Sequence, residues 1–152
     1  MFEEKIKEIT GNELPIAPKP LAAYIPAQVN GNLVFTSGQL PLKDGKLLAE
    51  GKVAGTVSEE TAVECARQCA LNCLSAVKSV IGNLENIDQI IKLTVFVNSE
   101  NGFSGQPKIA NGASEFLVQV FGEKGKHARS AVGVSELPLN APVEIELIAR
   151  FK

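Results

Sequence analysis

The chain has no tryptophan, one tyrosine, one histidine, one methionine and only three cysteines in 152 residues. Each scarcity excludes something. With one tyrosine and seven phenylalanines, base-stacking platforms for nucleic acid are poorly supplied. Cys65, Cys69 and Cys73 recur every fourth residue along one helical stretch, and nothing elsewhere closes a four-ligand shell around them. They read as small buried residues, and no metal site is expected. A disulfide at that spacing within a helix would be strained. His127 stands alone, without a neighbouring Cys or Ser pair, so a nucleophilic triad is not supported.

Charge and hydropathy exclude more. Fifteen basic and seventeen acidic residues give a net charge of -2. Lys and Arg nowhere cluster beyond two in a short window, so there is no electrostatic footprint for nucleic acid. No apolar run approaches the roughly 18–20 residues of a membrane span. The opening Met1-Phe2-Glu3-Glu4-Lys5 is acidic, unlike a secretory leader. The glycine-rich phosphate signatures GxGxxG and GxxxxGK[ST] are also missing. The expectation is a cytoplasmic protein with neither a membrane nor a nucleic-acid partner.

What is present fits one core, since 45% of residues are hydrophobic and 21% charged. Residues 1–20 read as an N-terminal arm or short helix, with Phe2, Ile6 and Ile9 among Glu and Lys. Residues 21–152 read as a single domain. Tyr24–Val29 and Asn32–Ser37 are apolar runs around Asn30-Gly31, a pair that favours a type I′ hairpin turn. Pro26 suits an edge strand. Asp44-Gly45 forms a second turn before a short strand at 46–49. Residues 59–81 make the clearest helix: Ser58 is placed to cap it, and Gly82 to stop it. Ala62, Ala66, Cys69, Cys73, Ala76, Val77 and Val80 form its buried stripe, with Ser75 opposite. A strand at 90–98, a helix at 107–121 and strands at 129–136 and 143–150 complete the chain.

The order β-β-(β)-α-β-α-β-β implies an α+β fold, a mixed six-stranded sheet with two helices on one face. The uncovered face needs a partner subunit, because Phe96 and Ile148 place apolar groups on it. The loop from Leu137 to Pro142 is short enough to return the last strand beside its predecessor.

Three polar features carry candidate chemistry. Arg129 begins a β-branched strand, and Glu144 and Glu146 lie on the next. Taken alone they describe a surface cross-strand pair; the alternative is an anchor for a small carboxylate, because guanidinium matches two oxygens at once. Thr36-Ser37-Gly38-Gln39 ends a strand with accessible backbone donors. Asn111-Gly112 lies in the first half of a helix, at a cost of about 1 kcal/mol in propensity. Such a pair marks either a close approach and a directed amide, or a tolerated poor turn.

Tyr24, Phe35–Pro41, Lys92–Val97, Ala128–Val132 and Val143–Ala149 together resemble the RidA/YjgF family, in order from Leu21 to Arg150. The resemblance implies a chorismate-mutase-like fold and a homotrimer with a central barrel and three intersubunit clefts. It implies hydrolysis of reactive 2-imino or 2-aminoacrylate-type acids to 2-keto acids and ammonia, with no cofactor. Arg129 would hold the substrate carboxylate and Glu144 would manage a water. Tyr24, Ser37, Gly38, Asn111 and Ala131 would line the cleft. Older family labels, endoribonuclease and translation initiation inhibitor, and a non-catalytic sensing trimer are the alternatives. Three departures mark a branch: Ala131 where many deaminases carry cysteine, a longer N-terminal arm, and extra residues around Phe103–Pro107.

Overall fold

A computed structural model describes residues 1–17 and 22–152. The expected boundary at residues 20 and 21 lies outside them. The fold is mixed α+β. Helix α1 spans Phe2–Thr10, and strands β1 (Ala27–Asn30) and β2 (Leu33–Thr36) form a hairpin. Two short strands follow, β3 (Leu42–Lys43) and β4 (Lys46–Leu47), then helix α2 (Glu59–Ile81). Strand β5 (Ile87–Asn98), helix α3 (Gln106–Phe121), β6 (Ala128–Val134) and β7 (Val143–Phe151) complete it.

The main sheet has five strands in the order β1-β2-β7-β5-β6, not six. Only β5 and β6 run parallel, joined by the α3 crossover. The stretch expected as a further strand at 46–49 pairs only with Leu42–Lys43, in a separate two-stranded hairpin. The tight Asp44-Gly45 turn folds the stretch back onto Leu42–Lys43, so it pairs with its own hairpin partner. Asp44 and Gly45 both have positive φ (52° and 78°), so the type I′ turn belongs here. In the β1–β2 hairpin, Asn30 pairs with Leu33, leaving Gly31 and Asn32 as the turn. Only Gly31 has positive φ there (63°), which corrects the Asn30-Gly31 assignment by one residue and indicates the type II′ class.

The expected adjacency of the last two strands is also corrected. β7 pairs with β2 and β5, and β5 separates it from β6. The parallel crossover claims the outer edge of β5, so the chain must step over that strand to reach the open position on its other side.

Both long helices pack on one face of the sheet, against Val34, Leu93, Val95, Val97, Val143, Ile145, Leu147 and Ala149. α2 begins at Ser58, whose side chain accepts from the Thr61 amide, and ends at Gly82. Its buried surface is wider than one stripe, taking in Leu71, Leu74 and Ser75, while Val80 is exposed. Ser75 is buried because the N-terminal arm crosses it: its hydroxyl donates to the Pro15 carbonyl. Where α3 crosses α2, a Cβ on Gly112 would lie 2.1 Å from the Val63 carbonyl oxygen. Of the two readings of Asn111-Gly112, the structure shows the close approach. On the sheet's other face Phe35 and Val132 remain 38% and 45% exposed, beside Phe96, Glu144, Glu146 and Ile148.

Candidate functional site

Arg129 pairs in register with core residue Leu93, so its side chain leaves the sheet on the helix-bearing face. There α3 receives it. Nη1 donates to Asn111 Oδ1 at 2.8 Å and to Ser114 Oγ at 3.1 Å. Asn111 and Ser114 are three residues apart and so share a helix face. Nε and Nη2 have no partner among the described residues, which leaves half of the guanidinium available to a ligand. Ala131 lies two residues further along the same face, partly buried against the core.

His127 joins this group. Its Nε2 is 2.9 Å from Ser114 Oγ and its Nδ1 is 2.6 Å from the Gly125 carbonyl oxygen. Burial pushes the imidazole below its usual range, the Gly125 carbonyl pulls it back, and the positive Arg129 pushes it down again. His127, expected to stand without a serine neighbour, has Ser114 beside it. A clue was present in the i, i+3 spacing of Asn111 and Ser114. What the sequence lacked was the turn Gly122–Gly125, which brings the end of α3 back past its own flank.

Glu144 belongs to a second group. It lies between core residues Val143 and Ile145 and pairs with Phe96, so its carboxylate points to the open face. Gly38 makes room for it, since a Cβ there would sit 2.7 Å from Glu144 Oε2. Gln39 pairs with Ile145 beyond the end of β2, carrying Ser37 and Gly38 alongside β7. The Ser37 hydroxyl donates to the Ile25 carbonyl at 2.6 Å, tying this edge to the segment after Tyr24. Tyr24 itself is 64% exposed. Burial, then repulsion from Glu146, holds the Glu144 carboxyl above its ordinary range. A carboxylate so placed is a better base than an ordinary one.

The predicted residues therefore fall into two halves. Arg129, Asn111 and Ala131 are together; Glu144, Gly38 and Ser37 are together. The halves lie on opposite faces of the sheet, two strands or about 10 Å apart. Within one chain Arg129 and Glu144 cannot grip the same small molecule. They are not a cross-strand pair either.

The cysteines play a packing role. Cys69 and Cys73 thiols donate to the Val143 and Ile145 carbonyls, and burial pushes the Cys73 thiol up to about 12. A cleft of about 540 Å³ between the arm, the β3–β4 hairpin and α2 is lined by none of the predicted site residues.

Comparison with known proteins matches residues 4–151 to the family model described as "YjgF/chorismate_mutase-like, putative endoribonuclease". A 2-iminobutanoate/2-iminopropanoate deaminase of Dermatophagoides farinae is 34% identical over 134 residues, covering 88% of this chain and 90% of the relative. The crystal structure of protein Atu1372 from Agrobacterium tumefaciens superposes with a TM-score of 0.93 at 42% identity, covering 99% of this chain and 92% of that one. E. coli TdcF with bound serine superposes at 0.66 with 27% identity, covering 90% and 94%.

Proposed function

Since this chain belongs to the YjgF/chorismate-mutase-like family, we propose that it hydrolyses 2-imino acids, and the 2-aminoacrylate-type enamines that tautomerise to them, to 2-keto acids and ammonia. The observation that carries the reading is Arg129, held through Nη1 by Asn111 and Ser114 with its remaining donors free. That arrangement suits a small carboxylate, since a planar fork meets two oxygens. The relative named as an imine deaminase supports the reaction, and the serine in TdcF supports a small carboxylate ligand.

The split site implies an assembly. In a homotrimer with a central barrel, the open sheet faces would be covered, and Arg129 of one copy could approach Glu144 of the next. The substrate carboxylate would rest on Arg129, near Asn111 and Ala131. Glu144, with Ser37, Gly38 and Tyr24 beside it, would hold the attacking water. Water adds to the imine carbon as Glu144 takes its proton. That proton passes to nitrogen, giving a carbinolamine; its hydroxyl proton then moves to the nitrogen by way of Glu144 as the C–N bond breaks, so that ammonia leaves and the carbonyl forms. Such imines already react with water, so positioning and one well-placed base suffice for acceleration.

Keto-acid release from an imine generated in situ tests this. The wild type should exceed the buffer rate. Arg129→Lys, which keeps the charge and loses the fork, should lower kcat/KM roughly 10–100-fold. A wild-type rate equal to buffer sinks the enzyme reading. Ala131, which brings no thiol to the face holding Arg129, favours one rival: a trimer that binds keto or amino acids without turnover. Thermal stabilisation by 2-ketobutyrate with no catalysis would select it.

A further inference from the structure

The hydrogen bonds behind Arg129 run in one direction. The Gly125 carbonyl can only accept, so His127 Nδ1, 2.6 Å away, carries the ring proton. In the neutral ring Nε2 is then a bare acceptor, and the Ser114 hydroxyl donates to it across 2.9 Å. That turns the Ser114 lone pairs toward Arg129, whose Nη1 donates at 3.1 Å. Asn111 takes the other Nη1 proton at 2.8 Å. With Nη1 spent, the guanidinium offers the edge formed by Nε–H and Nη2–H.

We infer that Ser114 and His127 are positioning residues for Arg129, orienting its guanidinium so that the Nε–Nη2 edge receives the substrate carboxylate side-on. The inference rests on the carboxylate-binding reading above and adds two residues that the family resemblance does not name.

The arrangement links binding to a proton. The charged groups around His127 are Arg129 on β6 and Glu123, Lys124 and Lys126 on the turn before it. Glu123 and Lys126 pair with each other at 2.8 Å. α3 presents neutral Ser114 and Asn111, while Glu115 faces Val63 and Arg67 of α2. Lys92 reaches Ser130 on the opposite face. Arg129 is thus the charge that disfavours the imidazolium. A carboxylate bound to it cancels that repulsion, so binding favours protonation of His127. By reciprocity, protonation favours binding equally. The protonated ring keeps Ser114 by donating to it instead of accepting. Affinity should therefore rise as pH falls through the His127 transition, by about threefold for an effective dielectric between protein and water.

His127 is the chain's single histidine, so its imidazole resonances need no assignment. The test titrates wild-type protein by NMR with and without saturating 2-ketobutyrate, and measures Kd by calorimetry at one pH below and one above the His127 midpoint so found. The His127 midpoint should move up with ligand, and Kd should be about threefold lower at the acid pH. Ser114→Ala should weaken binding about fivefold, the worth of one neutral hydrogen bond, with Ser114→Thr restoring most of it. A midpoint unmoved by bound ligand, or Ser114→Ala binding as tightly as wild type, overturns the inference and leaves the carboxylate site standing. No binding by wild type at either pH overturns both. If Ser114→Ala fails to fold, the wild-type titration still decides.

Discussion

At the scale of the residue, the two groups expected to do chemistry are tuned differently. Arg129 is fixed by neutral acceptors, so its charge is left for a ligand. Glu144 is half-buried next to Glu146, and burial above all raises its carboxyl beyond the ordinary value of 4.5. A general base works only when ionised, so activity should fall as pH drops through that raised pKa. The acid limb of kcat/KM should then have its midpoint above 4.5. Glu144→Gln should lower kcat by at least about 100-fold and abolish that limb. An unchanged limb in the variant would assign it to another group. Asn111 and Gly38 were legible in the sequence because each breaks a local rule, an asparagine inside a helix and a glycine at a strand end. Ser114 broke none. Serine is ordinary in a helix, and its value arises only where the chain reverses and returns His127 to it.

At the scale of the element, the bounds of α2 were legible, since its cap and its stop agree, while its buried face proved wider than the stripe its period marked. The strands were legible too, as runs. Their neighbours were not, because hydrophobic alternation says which face is buried and nothing about which strand lies alongside. That is why β6 and β7 seemed adjacent when β5 divides them, and why Arg129 and Glu144 seemed a pair. The α2–α3 crossing offers a sharper check. Gly112→Ala gains about 1 kcal/mol in helix propensity. Its Cβ would also press to within 2.1 Å of the backbone oxygen of Val63, and backbone has little room to yield. Overpacking of this kind costs about 1–3 kcal/mol, so against the propensity gain the net effect should be destabilising by up to about 2 kcal/mol. Calorimetry should show Tm lowered by several degrees; a raised Tm would mean the helices separate freely.

At the scale of the whole molecule, the helix face of the sheet is complete and the other is not. Phe35 and Val132 are exposed there, among Phe96 and Ile148. The sequence pointed to this surplus through apolar residues on both faces of its central strands. In the proposed trimer Val132 would lie buried between copies, where it should not tolerate charge. Val132→Glu should convert the assembly to monomer in light scattering after gel filtration, with the monomer inactive if the site spans two copies. A monomeric wild type would remove the trimer from the account.

The central claim is that one site takes Arg129 from one copy and Glu144 from another. Co-expression of Arg129→Ala and Glu144→Gln, each inactive alone, tests it most directly. In randomly mixed trimers about one cleft in four draws both intact residues from different copies, so imine hydrolysis should recover to about a quarter of the wild-type rate. Mixed trimers as inactive as either parent would contradict the account.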